Sequence, residues 1–202
     1  MQQDRSKHEI QNSRFKIAVF ASGAGSNAER LVHHFKESAL AKVSLIVCNK
    51  HGAGVISIAE KEDVPVIIIE KEKFFRGDGY LSHLQKEGID FIVLAGFLWK
   101  IPNALITAYP KRIINIHPAL LPKYGGKGMY GPYVHQAVIN AGERETGITI
   151  HYVDEHYDKG DIIFQIACPI LPGDDPVGVA QRIHGLEHLH YPKVIESILK
   201  NL

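Results

Sequence analysis

The chain has 202 residues, 45% of them hydrophobic and 22% charged, with 23 Lys and Arg against 22 Asp and Glu. That length suits one substantial domain with a real core and is too short for two ordinary ones. A net charge of +1 argues against a broad nucleic-acid surface, and no apolar run reaches the roughly 18 residues of a membrane span. Residues 1–14 lack the apolar middle of a signal peptide and read as a loose polar tail. Two cysteines, Cys48 and Cys168, suggest neither a disulfide scaffold nor a zinc ribbon, so a reducing cytoplasm is the expected compartment.

In chain order the pattern alternates. Lys16–Ala21 is an apolar run that ends in a Gly-rich turn and is followed by a helical stretch, Ser26–Lys36. Val43–Cys48 reads as the next strand, Gly52–Lys61 as a helix and Val64–Ile69 as a strand. Leu81–Lys86 reads helical, Ile89–Ala95 as a strand, Asn103–Ala108 as a short helix and Arg112–His117 as another strand. Runs of β-branched residues bounded by Gly, Pro and Asn suit strands buried on both faces, and alternation with helices predicts a parallel sheet with right-handed crossovers. The last third changes style. Gly147–Val153 and Asp161–Ala167 are too close in sequence for a crossover and must pair antiparallel. A final helix runs from near Asp175 toward Leu199, with Val179, Ile183, Leu186, Val194 and Ile198 on one stripe and Pro192 expected to kink or interrupt it. The fold class is α/β: a Rossmann-like, mostly parallel sheet with helices on both faces, a late antiparallel pair and a C-terminal helix.

Three segments carry chemistry. Ser22-Gly23-Ala24-Gly25-Ser26-Asn27 lies where the first strand turns into the first helix. Glycines there permit a tight turn, Ser26 or Asn27 can cap the helix, and free amides at a helix N-terminus attract phosphate; a plain tight turn is the equal alternative. In Asn115-Ile116-His117-Pro118, residues two apart share a strand face, so Asn115 and His117 project together and Ile116 opposes them. Pro118 stops the strand after the histidine. An amide donor and an imidazole at the carboxyl end of a parallel strand can stabilise an oxyanion and move a proton, or can be a buried pair that ties down a loop. The segment Val153–Asp161 joins the two late strands. By itself it reads as a solvated hairpin tip, yet a carboxylate in it could reach His117 and raise the imidazole's pKa. His184-Gly-Leu-Glu187-His188 formally matches an inverted zinc-peptidase motif. Only one plausible carboxylate ligand follows it, Glu196 on the same helix, and short motif matches are often accidental, so no metal is expected.

These residues together resemble the phosphoribosylglycinamide formyltransferases, folate-dependent enzymes of purine synthesis. The resemblance runs from Lys16 to Ile198. It rests on Ser22-Gly23-x-Gly25-Ser26-Asn27, Leu94-Ala95-Gly96-Phe97, Asn115-Ile116-His117-Pro118-x-Leu120-Leu121-Pro122-Lys123-Tyr124 and Asp158-x-Gly160. It implies one formyltransferase domain over residues 15–202. Gly25, Ser26 and Asn27 resemble the site for the substrate's ribose phosphate, and Glu187 the carboxylate that holds the ribose hydroxyls. Leu98, Trp99, Lys100 and Ile101, with Asp154, Glu155, His156, Tyr157 and Asp158, resemble the walls of the folate pocket, which Asn115 also touches. Asn115, His117 and Asp158 resemble the catalytic trio. Two departures stand out. Leu98-Trp99-Lys100-Ile101 replaces the frequent Met-Arg-Ile-Leu, and the Gly125–Pro132 segment replaces a shorter loop that bears a histidine.

The resemblance implies formyl transfer from 10-formyltetrahydrofolate, a consumed co-substrate, to the amine of phosphoribosylglycinamide. Its partners are small molecules, with no metal, nucleic acid or membrane. Asn115 and a protonated His117 would donate to the oxyanion, and an ionised Asp158 would hold His117 and raise its pKa. Three rivals share parts of the pattern. A formyltetrahydrofolate deformylase would deliver the formyl group to water but usually carries an extra N-terminal domain. A methionyl-tRNA formyltransferase needs an RNA-binding extension. A phosphoribosyl-ligand sensor would keep the phosphate loop without needing the trio.

Overall fold

The computed structural model describes residues 14–76 and 79–202, so the expected tail falls outside the described residues except for Arg14, which is exposed. Seven strands form one sheet: β1 (Phe15–Ala21), β2 (Ala41–Cys48), β3 (Val66–Ile68), β4 (Phe91–Leu94), β5 (Ile113–His117), β6 (Glu145–Tyr152) and β7 (Ile162–Pro169). Their order is β3-β2-β1-β4-β5-β6-β7. Pairing is parallel from β3 to β5 and antiparallel for β5–β6 and β6–β7. The strand order turns back between β1 and β4, the switch point at whose carboxyl side ligands bind in open α/β sheets.

Period-two alternation sends successive side chains into two cores. On one face Ile17, Val19, Phe91, Val93, Ile114 and Ile116 pack with helices α1 (Ser26–Phe35), α2 (Gly54–Lys61) and α7 (Pro176–Leu199). On the other, Ala18, Phe20, Ile92, Leu94 and Ile113 pack with α3 (Lys71–Phe75), α4 (Leu81–Lys86) and α5 (Asn103–Ala108). Helix α6 (Pro132–Asn140) lays Val134 and Val138 on Ala119 in a small third cluster. The sequence reading did not anticipate α3 or α6.

Helix α7 corrects two expectations. It runs unbroken through Pro192 for 24 residues. Proline removes the N–H that would bond the carbonyl four residues back, and the Arg30 Nε of α1 donates to that carbonyl, His188 O, at 3.2 Å. The fully buried row is Val179, Ile183, Glu187, Tyr191, Ile195 and Leu199, a strict i+4 progression through two polar residues rather than the expected apolar stripe; Leu186, Val194 and Ile198 are only half-buried. The buried Tyr191 hydroxyl donates to Leu94 O at 2.9 Å, with Ile114 O at 3.4 Å. It ties the helix to the last residue of β4 and the second residue of β5, and places Glu187 beside Asn27 at the start of α1. Among the described residues no helix is long and apolar enough to cross a membrane.

Candidate active site

The loop after β1 is held from three sides. The Ser22 amide donates to Gly96 O at 3.1 Å and the Ser22 hydroxyl accepts from Leu98 N at 3.0 Å. Val55 N donates to Gly23 O at 3.2 Å. Gly25 is the N-cap of α1 at φ 87. A Cβ there would sit 2.8 Å from Val55 Cα and 2.7 Å from its Cβ, so both handedness and space require glycine. No side chain caps the helix, contrary to the expectation for Ser26 or Asn27. Asn27 instead donates through Nδ2 to Glu187 Oε2 at 2.8 Å. The first-turn amides are therefore left without a side-chain cap, and a helix start in that state is suited to an anion. Glu187 is 5% exposed; burial pushes its carboxyl above the ordinary value against the pull of Asn27 and His184.

At the end of β5, Asn115 and His117 share a face while Ile114 and Ile116 enter the opposite core, as period two requires. The register places Asn115 opposite His151 and His117 opposite Thr149 on β6. His151 Nδ1 lies 2.8 Å from Tyr152 O. A carbonyl only accepts, so Nδ1 carries the proton and Nε2 is left to accept from Asn115 Nδ2 at 3.1 Å. The second Asn115 N–H faces Asp158 Oδ1 loosely, at 3.5 Å. The same logic fixes His117. Its Nε2 donates to Tyr124 O at 2.7 Å, which leaves Nδ1 as the uncommitted nitrogen, 3.7 Å from Asp158 Oδ2.

Asp158 is the hub. Its side chain is 12% exposed, so it is not a solvated hairpin tip. Oδ2 accepts from Gly126 N at 2.8 Å, and Oδ1 lies 3.6 Å from His151 Nε2. Its backbone is left-handed at φ 53, a conformation that Asp tolerates better than most residues. Burial works to raise its pKa, but His151, His117 and the Gly126 amide outweigh it and keep the carboxyl below its ordinary value. For His117 the balance goes the other way from expectation. Burial lowers its pKa and outweighs the opposing pull of Asp158 and Tyr124 O, and nearby His151 adds to the lowering. At neutral pH the resting pair is thus a carboxylate beside a neutral imidazole. The protonated His117 expected from sequence is corrected: desolvation beats the single charge at 3.7 Å.

The remaining sequence-predicted residues line the surrounding loops. Leu98 is exposed and Trp99 half-buried, Lys100 is exposed, and Ile101 is buried in the second core. Trp99 lies against Phe74, Phe75 and Phe97 at centroid distances of 5.7, 5.7 and 6.2 Å. Lys100 and Ile101 border a groove of about 290 Å³ with Phe75 and Arg76. Between β6 and β7, Asp154 Oδ1 accepts from His156 N at 2.8 Å, which shapes the turn, and Glu155, His156 and Tyr157 are exposed. The His184 and His188 rings stack at 6.5 Å, whereas Glu187 turns to Asn27. Among the described residues no group of three or more His, Cys, Asp or Glu side chains is placed to hold a metal ion.

A family model described as formyl transferase matches residues 15–195. A Bacillus subtilis phosphoribosylglycinamide formyltransferase is 40% identical over 91% of the chain and 94% of its own length. The chain belongs to the phosphoribosylglycinamide formyltransferase family. A chloroplastic phosphoribosylglycinamide formyltransferase of Arabidopsis thaliana is 42% identical over 96% of the chain, which spans 68% of that protein. A glycinamide ribonucleotide transformylase 1 from Geobacillus kaustophilus superposes with a TM-score of 0.83 at 39% identity, covering 93% of this chain and 100% of the other. On this phosphoribosylglycinamide formyltransferase fold, the residues that the sequence reading missed are His151, His135 and the backbone groups of Tyr124 and Gly126. His151 had a signal: it is the polar alternate, with Thr149, in a strand whose other face is Ile148 and Ile150. His135, on α6, is 2% exposed, and burial, with His184 and His117 nearby, lowers its pKa to about 4.

Proposed function

We propose that this chain transfers the formyl group of 10-formyltetrahydrofolate to the primary amine of 5'-phosphoribosylglycinamide, giving the N-formyl product and tetrahydrofolate, as a step of purine biosynthesis. The observation that carries the reading is the convergence of Asn115, His117 and Asp158, with His117 Nδ1 open beside the carboxylate. The uncapped start of α1 at Gly25, Ser26 and Asn27 suits the substrate phosphate, and Glu187 suits the ribose hydroxyls. By resemblance to the family, Leu98–Ile101 and the loop from Asp154 to Asp158 are assigned as the folate walls. Residues 15–202 act as one formyltransferase domain. Two buried free cysteines fit a reducing compartment.

The substrate amine attacks the formyl carbon, and negative charge develops on the formyl oxygen. Asn115 Nδ2 is the donor for that oxygen, releasing its loose contact with Asp158. His117 starts neutral, so its Nδ1 takes a proton from the attacking amine. The imidazolium that results is stabilised by Asp158 and passes the proton to the departing folate nitrogen. The family supplies the folate as a substrate, and no step needs a metal.

Incubation with both substrates tests the reading. Formylated phosphoribosylglycinamide and tetrahydrofolate in equal amounts are the expected products. Formate release independent of the amine would mean a deformylase, and binding without turnover a sensor.

A further inference from the structure

The segment between His117 and α6 holds both halves of the reacting pair. Tyr124 O accepts from His117 Nε2 at 2.7 Å, and two residues later Gly126 N donates to Asp158 Oδ2 at 2.8 Å. Tyr124 adopts φ 56, a left-handed conformation that costs a tyrosine roughly 1–2 kcal/mol and therefore needs external support. The support is visible. The Tyr124 ring packs on the Ala119, Val134 and Val138 cluster, and its hydroxyl donates to Glu143 Oε1 at 2.9 Å. The same oxygen accepts from Lys123 Nζ at 2.8 Å. Glu143 lies in the turn between α6 and β6, the strand that carries His151.

We propose that Glu143 is a positioning residue for the formyl transfer: by gripping the Tyr124 hydroxyl it fixes the Tyr124 carbonyl against His117 Nε2, and so keeps Nδ1 as the reacting nitrogen. The proposal rests on the formyl-transfer reading. Its physical content is a tautomer choice. A neutral imidazole carries one proton, and the nitrogen with the better acceptor keeps it. If the Tyr124 carbonyl drifts, the Asp158 carboxylate becomes the better acceptor. The proton then moves to Nδ1, and the base loses its lone pair at the reacting position. The Lys123 contribution is minor by comparison, because its side chain is 68% exposed and exposed ion pairs contribute little. The ionisable groups that face His117 are Asp158 from the β6–β7 loop, His151 from β6 and His135 from α6. None of them is altered in the test.

The test uses Tyr124→Phe, Glu143→Ala, their double variant and Glu143→Gln. It reads kcat and KM for both substrates across pH, with nitrogen NMR of the His117 ring in the free protein. Each single variant is expected to lose about tenfold or more in kcat with KM nearly unchanged, as for a displaced catalytic group. The Nδ1–H tautomer should appear in both. The double variant should be no slower than either single one, since both break the same link. Glu143→Gln, whose amide oxygen still accepts from the tyrosine hydroxyl, should recover most of the rate. Should Glu143→Ala not fold, Tyr124→Phe, which removes a single oxygen atom, carries the test. Lower melting temperatures with kcat and tautomer unchanged would overturn the proposal and leave Glu143 as a turn anchor. If the parent chain transfers no formyl group, the reaction reading fails by itself. The tautomer then decides the positioning claim alone: a shift supports it and no shift overturns it.

Discussion

Replacing Asp158 by Asn changes one atom and removes one charge, and the structure says what that charge does. The carboxylate lies 3.7 Å from His117 Nδ1 with its side chain 12% exposed. At the effective dielectric constant that suits such partly buried pairs, a full charge at that distance contributes about 4 kcal/mol toward the imidazolium. Part of this is recovered by the Asn dipole and by water. A kcat loss of about 100- to 1000-fold follows. The neutral side chain also fits poorly. If its oxygen keeps the Gly126 amide, its NH2 faces the Asn115 NH2, and the two donors compete for one acceptor, His151 Nε2, which Asn115 already holds. The variant should therefore be destabilised by about 1–3 kcal/mol, the cost of an unsatisfied buried polar group. The sign for His117 is fixed: its pKa is already below the ordinary value through burial, and it falls further without Asp158. Three measurements separate the effects: turnover, denaturant unfolding and NMR titration of His117. A variant at full speed would refute the catalytic role. A slow variant whose His117 pKa is unchanged would refute the electrostatic route to it.

Other expectations follow from the same geometry. Gly25→Ala should weaken phosphoribosylglycinamide binding more than folate binding, by titration of each ligand, and should also lower the melting temperature, because its Cβ meets the Val55 backbone at 2.8 Å; equal loss of both ligands in a folded variant would move the phosphate site elsewhere. Stability should fall on acidification between pH 6.5 and about 4. The unfolded His135 takes up its proton first in that window, so the unfolded state gains, by about 3 kcal/mol at the acid end. His117, also depressed, acts with the same sign. Urea unfolding at several pH values should show this loss, and His135→Gln should flatten it; an unchanged slope would mean that His135 is solvated.

Much of this was readable from sequence, for reasons that differ by element. β5 was readable because period two is absolute in a strand: once Ile114 and Ile116 are core, Asn115 and His117 must share the other face. α7 was readable in extent but not in its buried row. Apolarity alone cannot show that Glu187 and Tyr191 are inside, since their burial depends on Asn27 and on the carbonyls of Leu94 and Ile114. α6 was missed because Gly125, Gly126, Gly128 and Gly131 mask its start, although Pro132 at the first helical position is a recognised signal. In the site, a carboxylate of the Val153–Asp161 loop was a candidate partner for His117 from sequence. Asp158 was singled out among its acidic residues only through family resemblance, because a charged turn looks solvated until its partners are known. His151 depends on the β5–β6 register, and the Tyr124 and Gly126 contacts on backbone conformation. No residue type encodes either.

The Ser22 hydroxyl has a wider consequence than tying down a turn. It belongs to the loop expected to bind phosphate, and it accepts from the amide of Leu98, the first residue of the expected folate wall. A ligand that stiffens one loop spends ordering entropy that the other loop then need not spend. Linkage requires the effect to be mutual: whatever factor the ribonucleotide adds to folate affinity, folate adds to ribonucleotide affinity. The two substrates should therefore bind with positive cooperativity even where they do not touch. Ser22→Gly, which leaves the Leu98 amide to water, should bring the two affinities closer to independence.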